Sequence, residues 1–155
     1  MKRNKIVFLD FDGVLVTDKS NVGVKDKSGY QCVPDKTVIQ MLNNICETTG
    51  AEIVISSMWR IMFSVEGLKM FLRSHGLDGK YFHDDFFTKD LGGSIIRNDE
   101  ITDWLKRNKT DKFVILDDLP ITYFPDYEKF LIQTKDYEGL TYFDSLTAIR
   151  LLGSK

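Results

Sequence analysis

The chain has 155 residues, of which 43% are hydrophobic and 28% are charged, as in an ordinary globular domain. This composition excludes a disordered chain, a collagen-like repeat and a coiled-coil rod. Lysine and arginine number 21 against 23 aspartates and glutamates, a net charge of −2. That balance excludes a basic nucleic-acid coat protein but leaves room for a local basic groove.

Cysteine content and the lack of long apolar segments bear on location. Cys32 and Cys46 are too few for a disulfide framework and lack the spacing of a metal site, so we expect free thiols. The apolar run of residues 6–9 is too short for a signal peptide, and no stretch reaches the roughly 20 apolar residues of a membrane span. We expect a cytoplasmic protein without membrane attachment, and the sequence indicates no obligate protein partner.

The first third of the chain predicts a strand, a loop, a helix and a second strand. Residues 5–9 form an apolar run that is typical of a buried strand. Glycine, proline and many polar residues predict a loop or small flap over residues 13–34. Between Asp35, a predicted N-cap, and Gly50, a predicted stop, apolar residues recur at helical spacing. The β-branched residues 52–55 predict the second strand.

The middle of the chain is less regular. A second helix is predicted from about Ser64 to His75, with Gly76 as its stop. Residues 80–96 are ambiguous, because the aromatic pairs at 81–82 and 86–87 are compatible with a short third strand.

The last third predicts a helix at 99–107 and strands at 113–116 and 130–132. A final helix is predicted to begin at Thr141, with Asp144 as the acidic half of a capping box. Its predicted inward-facing residues are Leu146, Ile149 and Leu152.

Strands that alternate with helices imply a parallel sheet covered on both faces. With right-handed crossovers, the predicted fold is α/β, a three-layer sandwich with five strands that forms one domain over residues 1–155. A minimal cap is expected, because neither 13–34 nor 61–96 is long enough for a large lid. Ligands of open α/β sheets bind beyond the carboxyl ends of the strands, so functional residues are expected there.

Three predicted strands end in polar residues. The first is followed by Asp10-Phe11-Asp12-Gly13, the second by Ser56-Ser57 and the fourth by Asp117-Asp118. If these strands are neighbours, carboxylates and hydroxyls converge at one place. Carboxylates packed together repel each other and raise each other's pKa. A divalent cation relieves this repulsion, and an oxygen-only ligand set favours a hard ion such as Mg²⁺.

An acidic pocket with Mg²⁺, hydroxyl donors and a nearby cation suits a phosphoryl group. One aspartate can act as the nucleophile, and a second, two residues away, as a general acid and then a general base. Gly13 allows a sharp turn beside a bound phosphate, and Ser56 can donate a hydrogen bond to a phosphate oxygen. For the cation that the transferring charge requires, Arg97 is the first candidate and Lys89 the second.

Four segments follow one another in a recognisable order: Phe8-Leu9-Asp10-Phe11-Asp12-Gly13-Val14-Leu15, then Ser56, then Arg97, then Leu116-Asp117-Asp118. They resemble the four motifs of the haloacid dehalogenase (HAD) superfamily. Within the superfamily, residues 56–60, 97–101 with 104–105, 115–118 and 139–141 resemble the HAD domain of Swiss army knife RNA-repair proteins, which is related in plan to polynucleotide 3′-phosphatases.

The resemblance implies a Rossmann-like sheet, Mg²⁺ dependence and a two-step phosphatase mechanism. It implies that Asp10 is the nucleophile and a metal ligand, and that Asp12 is the acid/base, with its backbone carbonyl on the metal. Asp118 would bind the metal directly. Asp117 would either bind the metal or orient the groups that bind it. The expected phosphate-binding residues are Gly13, Ser56, Ser57, Arg60 and Arg97, with Arg60 contacting either phosphate or backbone.

Each motif alone also has an ordinary structural explanation. The first resembles the start of a calcium loop, although Val14 stands where an acid is needed. Asp117-Asp118 is compatible with a solvated turn before Pro120. Arg97 is compatible with a surface charge at a helix start, and the tryptophans are more typical of core than of base-stacking platforms.

The function expected from the sequence is a Mg²⁺-dependent phosphomonoesterase that acts through an aspartyl-phosphate on polynucleotide ends or nucleotides. The alternatives are a small-metabolite phosphatase, a phosphotransferase of the same superfamily, and a non-catalytic module that binds phosphate or protein. Asp12 favours release to water, because it can activate that water. The sequence does not distinguish an RNA substrate from a DNA substrate, or a 3′-phosphate from a 5′-phosphate.

Overall fold

The computed structural model describes residues 4–21, 33–92 and 97–155. Within these ranges it contains five strands: β1 Lys5–Leu9, β2 Glu52–Ile55, β3 Phe82–Phe87, β4 Lys112–Asp117 and β5 Leu131–Gln133. They form one sheet in the order β3-β2-β1-β4-β5, and every neighbouring pair is parallel.

The described helices are α1 Asp18–Asn21, α2 Lys36–Thr49, α3 Trp59–Met62, α4 Val65–Ser74, α5 Arg97–Arg107 and α6 Tyr142–Leu152. Short 3₁₀ turns occupy Gly79–Tyr81, Ile121–Tyr123 and Glu128–Phe130. The predicted α/β fold with a mainly parallel five-stranded sheet is confirmed. None of the helices in the described ranges has the length and apolar character that a membrane span requires.

The strands alternate their side chains between two cores, because successive residues of a strand point to opposite faces. In β1, Val7 and Leu9 belong to the larger core, which packs the sheet against α2, α4 and α6. Ile6 and Phe8 belong to the smaller core on the opposite face, under α5. There the Trp104 ring of α5 meets the Phe8 ring edge-on, with 5.3 Å between ring centroids. The result is the predicted three-layer sandwich.

Local signals set the ends of the longest helices. The Asp35 side chain accepts a hydrogen bond from the Thr37 N–H at 2.8 Å at the start of α2. At its end Gly50 takes a φ of 75°, which favours glycine. Thr141 and Asp144 form the predicted capping box of α6.

The structure corrects several predicted details. In α6, Leu146 is 43% exposed rather than inward. Leu152 is buried and Ile149 packs against the larger core, as predicted. Ser145 and Ala148 are buried beside them, and both are small enough to let the helix approach the sheet closely. The one-turn helices α1 and α3 were not predicted, and α5 begins at Arg97 rather than 99. Strand β5 begins one residue later than predicted, because Phe130 closes a 3₁₀ turn.

The predicted flap at 13–34 is described only at its two ends, since residues 22–32 lie outside the described ranges. The Asn21 side chain accepts a hydrogen bond from the Val33 N–H at 2.9 Å. The Asp35 N–H donates to the Leu15 carbonyl at 2.9 Å. The two ends of this segment are therefore tied together beside the sheet.

Cys46 is a free, buried cysteine, as expected, whereas Cys32 lies outside the described residues. Burial, with a further contribution from the charge of Glu52, raises the pKa of the Cys46 thiol to about 12. The thiol is therefore a core residue without nucleophilic character.

Candidate active site

Strand register brings the predicted motifs together. Leu9 of β1 is paired with Ile55 of β2 and with Leu116 of β4. The ladder continues one residue further, because the Asp10 N–H donates to the Leu116 carbonyl at 3.0 Å and the Ser56 N–H donates to the Leu9 carbonyl at 3.1 Å. Residues 10, 56 and 117 therefore lie side by side at the carboxyl edge of the sheet.

Side-chain alternation directs these three residues to one face. Asp10, Ser56 and Asp117 each follow by two positions a residue of the smaller core, the core that α5 covers. Arg97, the first residue of α5, begins the helix on that face. The order in which strands are added to the sheet also reverses at β1. The chain adds β2 and β3 on one side of β1, and then β4 and β5 on its other side. This is the position where open α/β sheets bind ligands.

Three carboxylates form a compact acidic cluster. Oxygens of Asp10, Asp117 and Asp118 all lie within 4.8 Å of one another. Asp117 is fully buried, Asp10 is 6% exposed and Asp118 is half-buried. Burial first, and then the charge of Asp10, raise the pKa of Asp117 to about 7. The same two causes raise the pKa of Asp118 above its ordinary value.

Arg97 supplies positive charge to this cluster. Its Nη1 donates to Asp117 Oδ2 at 2.7 Å and lies 3.2 Å from Asp10 Oδ1. Burial alone would lower the pKa of Arg97, but the carboxylates of Asp117 and Asp10 outweigh it and raise the pKa. The Lys89 side chain, the alternative cation, is exposed. Of the two candidates, Arg97 is therefore the one that contacts the acidic cluster.

Gly13 allows the first motif to approach the fourth. Its φ is +77°, and a Cβ at this position would lie 2.3 Å from Asp118 Oδ2. The Thr134 hydroxyl donates to the Gly13 carbonyl at 2.7 Å and fixes this turn from the end of β5. No side chain larger than hydrogen fits here without moving Asp118.

Asp12 stands apart from the cluster. Its side chain is exposed, and its Oδ2 accepts a hydrogen bond from the Trp59 indole N–H at 3.0 Å. The Trp59 ring is itself 5% exposed and packs against Phe11 and Phe71. The indole therefore holds the Asp12 carboxylate at the mouth of the site while one carboxylate oxygen stays open to a ligand.

The two serines that follow β2 differ in their hydrogen bonding. Ser56 Oγ is buried and has no hydrogen-bond partner among the described residues. Ser57 Oγ accepts from the Trp59 N–H at 3.2 Å. A buried hydroxyl without a partner is uncommon in proteins, so Ser56 has an unused donor at the carboxyl edge of the sheet.

Arg60 is buried under the same turn. Its Nη1 donates to the Ser56 carbonyl at 3.0 Å and to the Ser57 carbonyl at 2.7 Å. Its Nη2 lies 2.6 Å from Glu100 Oε1. Of the two contacts expected for Arg60, phosphate or backbone, the structure contains the backbone contact.

The geometry agrees with a comparison against protein families. A family model described as the HAD domain in Swiss Army Knife RNA repair proteins matches residues 6–144. The chain belongs to this family. Comparisons with curated proteins and with solved structures give no match.

Membership of the HAD family carries phosphatase-type hydrolase chemistry on a phosphorylated substrate. HAD domains typically use a divalent metal. The acidic cluster fits one, because its donors are oxygens only, and burial together with the charge of Asp10 raises the pKa values of Asp117 and Asp118. The resemblance seen in the motifs is thus confirmed at the level of family and fold.

Some features of this HAD domain were not anticipated from the sequence. Glu100 was not predicted to contact Arg60, and Trp59 was not predicted to contact Asp12, since both contacts join segments far apart in the chain. Thr134 likewise follows a strand that carried no recognised motif. The only available signal was position, because Thr134 lies two residues after the predicted strand at 130–132 and directly follows the observed β5.

Proposed function

We propose that the protein is a Mg²⁺-dependent phosphomonoesterase that forms an aspartyl-phosphate on Asp10. The observation that carries the proposal is the placement of Asp10 beside the Arg97 guanidinium and two further carboxylates at the carboxyl edge of the sheet. A nucleophile needs a neighbouring cation to receive a dianionic phosphoryl group without prohibitive repulsion.

The proposed metal ligands are the carboxylates of Asp10 and Asp118 and the backbone carbonyl of Asp12. Both oxygens of Asp117 already have partners, since Oδ1 accepts from the Leu119 N–H and Oδ2 from Arg97. This supports an orienting role for Asp117. Bound Mg²⁺ would neutralise charge on the phosphoryl oxygens during the reaction.

In the first step, an Asp10 carboxylate oxygen attacks phosphorus and the bond from phosphorus to the leaving oxygen breaks. Asp12 donates its proton to that leaving oxygen, so the product leaves as a neutral hydroxyl. The exposed position of Asp12 and its anchoring by Trp59 support this role, because a leaving group enters from solvent.

In the second step, water attacks phosphorus and passes a proton to the Asp12 carboxylate, and the bond from phosphorus to the Asp10 oxygen breaks. Inorganic phosphate leaves and both carboxyl groups return to their starting states. The proposed contacts to the phosphoryl oxygens come from Ser56, Ser57 and Arg97. Gly13 leaves space beside them.

The proposed substrates are polynucleotide ends or nucleotides. The family description names RNA repair proteins, and this supports an RNA end as the first substrate to test. Among the described residues, Asp12, Thr17, Asp118 and Asp136 help to line a cleft beside the cluster.

The test is Mg²⁺-dependent phosphate release by the wild-type protein and by Asp10→Asn. The panel holds 3′- and 5′-phosphorylated RNA and DNA oligomers, mononucleotides and an aryl phosphate. We expect release from one kind of oligomer end, complete loss in Asp10→Asn and loss on chelation of the metal. Ca²⁺ should replace Mg²⁺ poorly, because its looser coordination misplaces the nucleophile.

The other outcomes separate the rival functions. Preference for mononucleotides or for the aryl phosphate would indicate a small-molecule phosphatase. Phosphate release that persists in Asp10→Asn would exclude the covalent mechanism. A folded protein without activity on any substrate, and without binding of vanadate in the presence of Mg²⁺, would contradict the proposed function.

A further inference from the structure

A buried ion pair connects two of the motifs that surround the acidic cluster. Arg60 belongs to α3, which follows β2, and Glu100 belongs to the first turn of α5. Arg60 Nη2 lies 2.6 Å from Glu100 Oε1, and the two side chains are only 2% and 9% exposed. The pair therefore joins the loop after β2 to the beginning of the helix that carries Arg97.

The other arm of Arg60 fixes the path of the backbone. Its Nη1 donates to the carbonyls of Ser56 and Ser57 at 3.0 and 2.7 Å. A trans peptide unit is planar, so holding both carbonyls fixes the two peptide planes on either side of Ser57. The first of these planes also borders Ser56, whose buried Oγ has no partner among the described residues, and so helps to set the orientation of that side chain.

Glu100 lies on α5, the helix that carries Arg97. It lies three residues after Arg97 on α5, and residues three apart lie on the same face of a helix. Arg97 contacts Asp10 and Asp117 from this face. A shift of α5 that separated Glu100 from Arg60 would therefore also move the Arg97 guanidinium relative to Asp10.

We propose that Arg60 and Glu100 are positioning residues, which hold the Ser56 hydroxyl and the Arg97 guanidinium in register around the phosphoryl group without contacting it. This inference rests on the proposed function. It assigns a role to Glu100, for which the sequence analysis gave none. It also assigns Arg60 to the protein backbone, through the Ser56 and Ser57 carbonyls, rather than to the phosphoryl group.

Stability alone is a weak explanation for the pair. Removing two charges from water is costly, and buried ion pairs are often no more stabilising than apolar residues of similar size. Removing one partner is different, because the remaining charge is left buried and unpaired. These two properties allow positioning to be separated from stability by a pair of variants.

The test compares Arg60→Met with the double variant Arg60→Met/Glu100→Gln. The single variant should melt at a lower temperature, since Glu100 loses its partner. The double variant should regain much of that loss, because no unpaired charge remains. We expect kcat/KM to stay reduced by roughly tenfold or more in both, because a misplaced binding group costs up to about 100-fold.

Two further variants serve as controls. Arg60→Lys keeps the charge but not the forked donor geometry, so we expect it to restore stability better than activity. Arg107→Met removes an ion-pairing arginine from the far end of the same helix, where Arg107 contacts Asp85 and Asp103. We expect wild-type activity from this control.

Binding of vanadate and of inorganic phosphate, each with Mg²⁺, gives a second measurement. A positioning defect should weaken binding of vanadate, which mimics the transition state, more than binding of phosphate. Equal weakening of both ligands, or recovery of activity together with stability in the double variant, would overturn the proposal.

Hydrogen exchange keeps this inference separate from the proposed function. If the wild-type protein neither releases phosphate nor binds vanadate with Mg²⁺, the proposed function fails, and exchange at residues 56–61 and 98–103 still tests the pair. Faster exchange confined to these segments in the double variant would support the linkage. Exchange rates equal to those of the wild type would contradict it.

Discussion

Asp12 differs from the three clustered carboxylates in both exposure and partner. It is exposed, and its hydrogen-bond partner is the neutral indole of Trp59 rather than a charged group. We predict that Asp12→Asn lowers kcat by roughly 100- to 10,000-fold, the usual contribution of a general acid and base. Asparagine can still accept the indole hydrogen bond, so the melting temperature should change little. Steady-state kinetics and a thermal melt check this prediction.

Trp59→Phe is the companion variant for Asp12. It keeps an aromatic ring against Phe11 but removes the donor that holds the carboxylate. We expect a smaller loss of kcat than for Asp12→Asn. A loss as large as that of Asp12→Asn would mean that the indole itself takes part in the chemistry.

Gly13 and Gly92 form a matched pair for testing close approach. Both have a positive φ, of 77° and 79°. A Cβ at Gly13 would lie 2.3 Å from Asp118, whereas a Cβ at Gly92 would meet none of the described residues within 4 Å. Gly92→Ala should cost about 1–2 kcal/mol of unfolding free energy from backbone strain alone. Gly13→Ala should cost more and should also weaken Mg²⁺ affinity, since Asp118 must move.

Urea unfolding measures the loss of stability in the two variants, and titration with Mg²⁺ measures their metal affinity. Equal destabilisation, with unchanged Mg²⁺ affinity in Gly13→Ala, would show that the contact with Asp118 has no role in metal binding. The same experiment tests the proposed metal site independently of any substrate.

Much of the acidic cluster was predictable, because its residues directly follow short apolar runs. Parallel strands carry their carboxyl ends to one edge, so Asp10, Ser56 and Asp117 had to meet if their strands were neighbours. Partners such as Glu100 for Arg60 were not predictable. A contact between two helices depends on how far each helix slides and rotates over the sheet, and local sequence does not determine these.

The two faces of α6 allow a prediction at the level of an element. Leu152 is fully buried, and Leu146 is 43% exposed. We predict that Leu152→Ala lowers the unfolding free energy by about 2–5 kcal/mol, whereas Leu146→Ala changes it by no more than about 0.5 kcal/mol. Urea unfolding of both variants measures this, and comparable losses would mean that α6 is rotated from its described position.

Elements with strong end signals were predicted well, and those without them were not. The bounds of α2 follow from Asp35 and Gly50, and those of β1 from its apolar run. Of the three residues of α6 that were predicted to face inward, only Leu146 was misplaced, because apolar residues surround the last turns of the helix. Helical periodicity then identifies no single face, and packing selects the smaller side chains of Ser145 and Ala148.

The acidic cluster links the stability of the whole molecule to pH and to metal. Burial and Asp10 raise the pKa of Asp117 from 3.8 to about 7. Because the folded state favours the protonated form, this stabilising contribution is complete below the unfolded pKa near 4 and is lost as pH rises through 7. We predict that the metal-free protein melts a few degrees lower at pH 8 than at pH 5.

Added Mg²⁺ should reverse this trend, because it binds the deprotonated carboxylates. We expect the increase in melting temperature on adding Mg²⁺ to be larger at pH 8 than at pH 5. Asp117→Asn should flatten the pH dependence of the metal-free protein. A metal-free wild-type protein that is more stable at pH 8 than at pH 5 would contradict the assignment of a raised pKa to this carboxyl.

The hydrogen bonds that join the two ends of the 13–34 segment have an evolutionary consequence. Asn21 with Val33, and Asp35 with Leu15, tie the two ends together before the chain reaches residues 22–32. When the ends of a loop are already held together, lengthening the loop costs little more than loop-closure entropy. This cost is about 0.6 kcal/mol of folding free energy for each doubling of loop length. We therefore expect homologous domains to differ in the length of this stretch while the carboxyl edge of the sheet stays in place.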